Sequence, residues 1–360
     1  MRLSSIFSSD TLLERPRITR AGALALGLCL MVRILVAFNK DRLATLPADT
    51  AHYLYMGNEA RYRVAEQRSP KILVLGTSRL AALNAGAFAG MLGWEPGEVG
   101  NYSMIGNTFW RSRLFLRRNP EAWSEARVVW LDLVPYQLYV CPTFTEADDV
   151  FLAMSTWRER GSVRDPGKRW LALADGFYPA WSGRHTVDAW SVGVQQLFLS
   201  EPERYHSFHE AVQDRHLRFR GLGPPLRPVA GWESVRGYVP DPVMSRVEAN
   251  ALAELISGLP ANCTLLLTWL PVRSDFAEML DKDPRARDGY RHFKENILRM
   301  ARPRALVVWF EDQASLGFAD EDFTDPVHFT ETGMAKLCQS LAPLIAGVCE
   351  EPAPLLSRVK

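Results

Sequence analysis

A chain of 360 residues with 47% hydrophobic side chains carries enough apolar material for a full core, which excludes a disordered or fibrous protein and points to one large domain with an insertion. Forty-two Lys and Arg against 41 Asp and Glu leave a formal charge of +1, so no global field directs the chain to nucleic acid or to an anionic surface. The five cysteines, Cys29, Cys141, Cys263, Cys338 and Cys349, are odd in number and show no CxxC spacing. That argues against a zinc site and a complete disulfide framework; Cys338 and Cys349 could pair, but reduced, buried thiols are the reading adopted.

At the N-terminus, Ala21 to Phe38 form an apolar run of 18 residues, interrupted by Arg33, which is about the length that spans a bilayer. Arg33 stands near the far end, where its side chain can snorkel to the interface. Arg2, Arg15, Arg17 and Arg20 precede the run and Lys40 and Arg42 follow it, a bias towards a cytoplasmic N-terminus. The stretch is long for a cleaved signal peptide and no small-x-small site follows it, so residues 1–20 are expected inside, 21–38 as a transmembrane signal anchor, and the rest outside the cytoplasm.

Residues 39–69 read as a polar, partly helical connector. Lys71 to Leu75 follow as a short strand buried on both faces and ended by Gly76. Arg79 to Leu92 fit a helix with weak points at Asn84 and Gly86, Gly97 to Met104 a second strand, Thr108 to Arg118 a helix, and Arg127 to Leu133 a third strand. Periodicity fades between about 140 and 241, an insertion rich in Trp and Arg with a Gly/Pro patch from Gly221 to Pro228. Order returns with a helix over Val243 to Leu259, strands at Cys263 to Leu270 and Ala305 to Phe310, and a helix over Arg287 to Ala301 between them. A last helix runs from about Glu331 to Ala346, with a kink at Pro343 and a stop at Gly347. Apolar strands alternating with helices predict a three-layer α/β fold around a mostly parallel five-stranded sheet, over residues 70–347, with 348–360 as a tail. Its site is expected beyond the carboxyl ends of the strands, where Ser78, Gly106 and Asp132 fall.

Ser78 stands where the first strand gives way to a helix. A serine there is either a helix cap or a nucleophile with its hydroxyl exposed beside free N–H groups. A nucleophile needs a base, and the base needs an acceptor on its other ring nitrogen. Asp325-Pro-Val-His328 can supply both. The spacing alone is weak, since Asp49 and His52 share it in the connector, but Asp325 and His328 lie on a loop that opens on the same sheet edge as Ser78.

These blocks, Gly76-Thr77-Ser78 after the first strand, Gly106 after the second and Asp325-x-x-His328 before the last helix, resemble those of the SGNH, or GDSL-like, hydrolase superfamily. The resemblance implies a flavodoxin-like SGNH fold with Ser78 as nucleophile, His328 as general base and then acid, Asp325 as the orienting carboxylate, and the Ser78 and Gly106 N–H groups as the oxyanion hole. There is one departure. The third block of the family has an Asn that donates to the oxyanion, and this chain has Asp132, which when ionised only accepts. Either Asn107 serves in its place or the hole lacks one contact, worth about 3 kcal/mol. The anchor, a first block with Thr77 where the family's name motif has Asp, the absent Asn and the insertion together resemble the envelope-modifying branch, which includes alginate-type polysaccharide O-acetyltransferases and the D-alanyl transfer protein of teichoic-acid synthesis. That implies an O-acyltransferase at the bacterial inner membrane, with its domain in the periplasm, modifying an envelope polysaccharide through an acyl-serine. A polytopic membrane-bound O-acyltransferase would be its partner; no cofactor, metal or nucleic acid is implied. An esterase of an envelope glycan and a catalytically silent glycan-binding scaffold are the alternatives.

Bland readings stand beside these. Gly106 could serve only a tight turn, Asn107 could cap the following helix, and Asp132 could be a buried carboxylate rather than a substrate-binding one. Arg79 could hold a substrate carboxylate or phosphate, or an ordinary salt bridge. His206, His209 and His216 miss the HExxH pattern and suit a polar helix better than a metal site. The tryptophans of the insertion could stack on sugar rings or simply hold a loop-rich subdomain together.

Overall fold

A computed structural model describes residues 20–31 apart from 29, residues 58, 59 and 62, and residues 70–139, 149–177 and 243–350, the last without 303, 311, 312, 314 and 315. In chain order its elements are β1 (Ile72–Val74), α1 (Ser78–Ala81), α2 (Ala85–Met91), β2 (Val99–Asn101), α3 (Phe109–Arg118), α4 (Glu121–Ser124) and β3 (Val128–Asp132). A 3-10 turn at Pro135–Gln137 leads to α5 (Asp149–Met154), α6 (Trp157–Ser162) and α7 (Pro166–Phe177). The chain then gives α8 (Arg246–Gly258), β4 (Thr264–Trp269), α9 (Ser274–Lys282), α10 (Pro284–Ala301), β5 (Ala305–Trp309), a 3-10 turn at Asp320–Asp322 and α11 (Glu331–Glu350).

The five strands form one sheet in the order β2-β1-β3-β4-β5, and every pair is parallel. This is the strand order of flavodoxin-like sheets. The sheet is thus wholly parallel where the sequence predicts a mostly parallel one. Parallel strands need covered faces, and alternate side chains supply two cores. Leu73, Leu75, Val129, Leu131, Leu265 and Leu267 face one core, built with α3, α8 and α10. Ile72, Val74, Val128, Trp130, Leu266 and Leu306 face the other, built with α1, α2 and α11. The result is three layers, and the strand order reverses between β1 and β3, which places a crevice beyond their carboxyl ends.

Several elements differ from the sequence expectation for local reasons. The helix expected over Arg79 to Leu92 is two: Asn101 Nδ2 draws off the carbonyls of Leu80 and Leu83 at 3.0 and 2.9 Å, and Asn84 restarts the helix by accepting from Ala87 N–H. Helix α9 lies in a stretch with no expected element, and α10, capped by Asp283, begins three residues before the expected start. Helix α11 carries Pro343 and continues through Gly347 to Glu350. The described part of the insertion is helical at α5, α6 and α7; His206, His209, His216, Trp181, Trp190, Trp232, Asp49 and His52 lie outside the described residues. Residues 21–28, 30 and 31 of the expected anchor are helical, and no helix among the described residues is long and apolar enough to cross a membrane.

Candidate active site

The turn from β1 into α1 begins the site. Thr77 is the N-cap: its backbone is extended and its hydroxyl oxygen accepts from Arg79 N–H at 3.3 Å. With that duty taken, the Ser78 hydroxyl is not the cap, and it meets His328 Nε2 at 2.7 Å across 250 positions of sequence. His328 Nδ1 lies 2.6 Å from Asp325 Oδ2. Both contacts are satisfied at once by the imidazole with its proton on Nδ1, which donates to Asp325 and leaves Nε2 to accept from Ser78.

The histidine is held by a short closed loop. Phe323 and Phe329 pair across its neck as an antiparallel bridge, and Thr324 N–H donates to the His328 carbonyl at 2.8 Å. Phe318, Phe323 and Phe329 pack together beneath it, so the loop stands on the core rather than on solvent. Inside the loop, Asp325 Oδ1 accepts from the N–H groups of Val327 and His328 at 2.9 and 2.8 Å. Burial works to raise the Asp325 carboxyl, but the His328 hydrogen bond and charge, with those two N–H groups, outweigh it and hold the carboxyl below its ordinary range. Asp325 therefore stays ionised as acceptor for the ring. Ser78, His328 and Asp325 are all partly exposed, so a substrate has access to them.

On the nucleophile's other side, Gly76 fits where little else would. A Cβ there would stand 2.8 Å from Leu80 Cβ and 2.9 Å from Asp132 Oδ1. Gly106 has a φ of +64°, the left-handed region that suits glycine, and its carbonyl accepts from Arg111 Nη1 at 2.8 Å. Among the described residues no hydrogen bond engages the N–H of Ser78 or of Gly106. Ser78 N–H is one of the orphan donors of a helix's first turn, suited to developing negative charge.

Three other expected site residues are placed away from solvent. Asp132, at the end of β3, is fully buried and takes both donors of Thr77, N–H to Oδ1 and hydroxyl to Oδ2, each at 2.6 Å. Burial pushes its carboxyl above the ordinary range, against the positive charge of Arg79 and the Thr77 donors. Asn107 is buried, and its amide donates to the Leu75 and Gly76 carbonyls and to Ser112 Oγ, so its hydrogens are committed to the framework. It does not cap α3 either, a role taken by Thr108. Arg79 is 1% exposed and donates to the carbonyls of Val327, Leu270 and Pro271. Sequence reasoning missed Thr77 and Ser103, whose Oγ accepts from Gly76 N–H at 3.2 Å. A threonine directly before Ser78 was the available signal, because a better-placed cap frees the serine. Gln137, after β3, is buried, with its side-chain oxygen accepting from Val134 N–H and its side-chain nitrogen directed at the Asn107 carbonyl, 3.5 Å away, so its amide is turned into the framework. Among the described residues no group of three or more His, Cys, Asp or Glu is arranged to hold a metal ion.

Comparison with protein-family models, with curated proteins and with solved structures gives no match. The functional reading therefore rests on the geometry of the chain's own residues.

Proposed function

We propose that the chain is a serine-dependent O-acyltransferase of the SGNH type, carrying an acyl group on Ser78 to a hydroxyl of an envelope polysaccharide. The observation that carries the reading is the Ser78–His328–Asp325 relay, with contacts of 2.7 and 2.6 Å. Ser78 Oγ attacks the acyl carbonyl while His328 Nε2 takes the hydroxyl proton. The oxyanion of the tetrahedral intermediate has the N–H groups of Ser78 and Gly106 as donors, and Asp325 stabilises the imidazolium. Collapse expels the donor's alcohol, which receives the proton from Nε2 and leaves an acyl-serine. The acceptor hydroxyl then attacks, gives its proton to Nε2, and the proton returns to Ser78 Oγ as the new ester departs.

The membrane setting is part of the proposal. Leu24, Leu26, Leu28, Leu30 and Met31 are exposed on the N-terminal helical stretch, at spacings that put apolar side chains on more than one face. A helix apolar on several faces suits lipid better than water. A single-pass anchor in the bacterial inner membrane, a periplasmic domain and a polytopic acyltransferase as source of the acyl group complete the reading. Buried Asp132 and committed Asn107 leave the oxyanion without a side-chain amide donor among the residues expected to give one, which favours slow dedicated transfer over fast general hydrolysis.

The test is to incubate the full chain in detergent with p-nitrophenyl acetate and map added mass by peptide. An acetyl group on Ser78 in the wild type, absent in Ser78→Ala, is expected. No adduct in the wild type, or an equal adduct in the variant, would sink the proposal. Offering water and a glycan as competing acceptors separates transferase from esterase. The scaffold reading draws on the same missing amide donor, and it would win if Ser78→Ala left envelope acylation in cells intact while deletion abolished it.

A further inference from the structure

We propose that Arg79 is a positioning residue that sets the His328 ring against the Ser78 hydroxyl, by tying the peptide before His328 to the helix that begins at the nucleophile. The proposal rests on the Ser78 reading for its catalytic meaning. Its physical content is the geometry of one buried guanidinium.

Arg79 follows the nucleophile directly, yet its side chain turns away from solvent and is 1% exposed. Nε donates to the Val327 carbonyl at 3.1 Å, inside the Asp325–His328 loop. Nη2 donates to the carbonyls of Leu270 and Pro271 at 2.9 and 2.7 Å, where the chain leaves β4. The guanidinium also lies 5.7 Å from the centre of the Trp269 ring. One planar fork thus joins three separate segments: the first turn of α1, the exit of β4 and the histidine loop.

The carbonyl of Val327 belongs to the peptide whose N–H is that of His328. Fixing that peptide fixes the Cα from which the imidazole projects. The neighbouring peptide is held as well from the start of α9, through Arg273 N–H to the Pro326 carbonyl at 2.9 Å, a backbone bond that does not need Arg79. The loop therefore keeps a dock when Arg79 changes, and what is lost is the link to the nucleophile's own helix.

Carbonyl dipoles explain why a cation is tolerated there. A buried guanidinium needs carbonyl dipoles or a counter-charge, and Arg79 has three carbonyls, while its field works to lower the Asp132 carboxyl against the effect of burial. Asp132 in turn holds Thr77. The nucleophile is thus flanked on one side by a residue anchored to β3 and on the other by one anchored to β4 and the histidine loop. Lysine would keep the charge but not the fork, because a point-like ammonium on a flexible stem cannot hold carbonyls in several fixed directions.

The experiment uses the full chain in detergent, with Arg79→Lys and, as a second variant, Arg79→Gln, which keeps a planar amide and no charge. Acylation by p-nitrophenyl acetate is followed in single turnovers. Independently, proton NMR follows the low-field resonance of the His328 Nδ1–H bonded to Asp325, assigned by its loss in His328→Ala. In a folded Arg79→Lys chain, the acylation rate should fall by about 100-fold with the ester's KM unchanged, and the resonance should broaden as its proton exchanges faster. A rate within about threefold of wild type together with an unchanged resonance would overturn the proposal. So would failure of both variants to fold, which would assign Arg79 to stability instead of ring placement. If the wild type never acylates Ser78, the reading of function falls, and the resonance alone then decides the role of Arg79.

Discussion

Thr77 commits both of its donors to one carboxylate: the N–H reaches Asp132 Oδ1 and the hydroxyl reaches Oδ2, each at 2.6 Å. The residue before the nucleophile is thereby bolted to the adjacent strand, and the turn that presents Ser78 has little freedom. Truncating Asp132 leaves two buried donors without a partner. Asp132→Ala should destabilise the chain by about 3 kcal/mol, and Thr77→Val, which keeps the N–H bond, by about 1 kcal/mol. Urea unfolding monitored by circular dichroism measures both. A loss below about 0.5 kcal/mol for Asp132→Ala, the size of an ordinary surface change, would contradict the network.

The strands were legible because parallel strands buried on both faces read as short unbroken apolar runs, and all five appear within the stretches expected. The order of those strands was not, since pairing depends on crossovers that hydrophobic pattern does not encode. Ser78, His328 and Asp325 could be named because their residue types and positions are those the chemistry needs. Arg79 and Asp132 carried a substrate-binding reading beside an ion-paired or buried one, and Asn107 an oxyanion reading beside a cap, because residue type beside a nucleophile does not tell which holds. The choice is made by contacts elsewhere in the chain, 31 residues away for Asn107 on Gly76, 55 for Asp132 on Thr77 and 248 for Arg79 on Val327. The break in the first helix has a similar origin, because Asn101 of β2 takes two of its carbonyls.

Asp325 has two separable duties. Its Oδ1 holds the loop through two backbone N–H groups, and its Oδ2 fixes the histidine tautomer. In Asp325→Asn the side-chain oxygen can still serve the loop, while the amide nitrogen presents a hydrogen to Nδ1 and favours the proton on Nε2, where it cannot accept from Ser78. The variant should fold and melt close to wild type, yet acylation of Ser78 should fall by about 10⁴-fold. Recovery of more than about a tenth of the wild-type rate would remove Asp325 from the relay.

Gly76 is a steric requirement of the site. An added Cβ would meet Leu80 Cβ at 2.8 Å and Asp132 Oδ1 at 2.9 Å, so α1 or the Asp132 side chain must shift. Gly76→Ala should cost about 1–3 kcal/mol by overpacking, and acylation should fall more than melting implies, because the shifted helix carries Ser78. A crystal structure of the variant with Ser78 Oγ still within hydrogen-bond reach of His328 Nε2 would rule this out.

Cys263 and Cys338 are buried thiols without a disulfide partner, and burial pushes each up to about 12; Cys349, less deeply placed, is pushed up to about 11. Thiolate is the reactive form, so its fraction at pH 8 is very small in all three. Iodoacetamide at that pH should leave Cys263 and Cys338 unmodified in the folded chain and alkylate both in urea, with Cys349 the first of the three to react natively. Peptide mapping reads the sites. Rapid native alkylation of Cys338 would mean that α11 leaves the sheet far more readily than its buried face implies.

The two carboxylates of the site should act oppositely on stability as pH changes. Asp325 has its carboxyl lowered in the folded state, so its contribution is present above the unfolded value near 3.9 and is lost as pH falls through the folded one. Asp132 has its carboxyl raised, so its contribution is full below that same unfolded value and is lost as pH rises through the folded one. Relative to wild type, Asp325→Asn should therefore be less stable at neutral pH, with the gap closing on acidification, as the native carboxyl itself gains a proton. Asp132→Asn should show the reverse trend, gaining on wild type as pH rises. Solvent keeps the Asp325 effect small, because that side chain is 45% exposed. Urea unfolding at steps between about pH 3 and pH 7 measures both series. A gap for Asp325→Asn that widens towards low pH would show that the loop's stability does not depend on the ionised carboxylate.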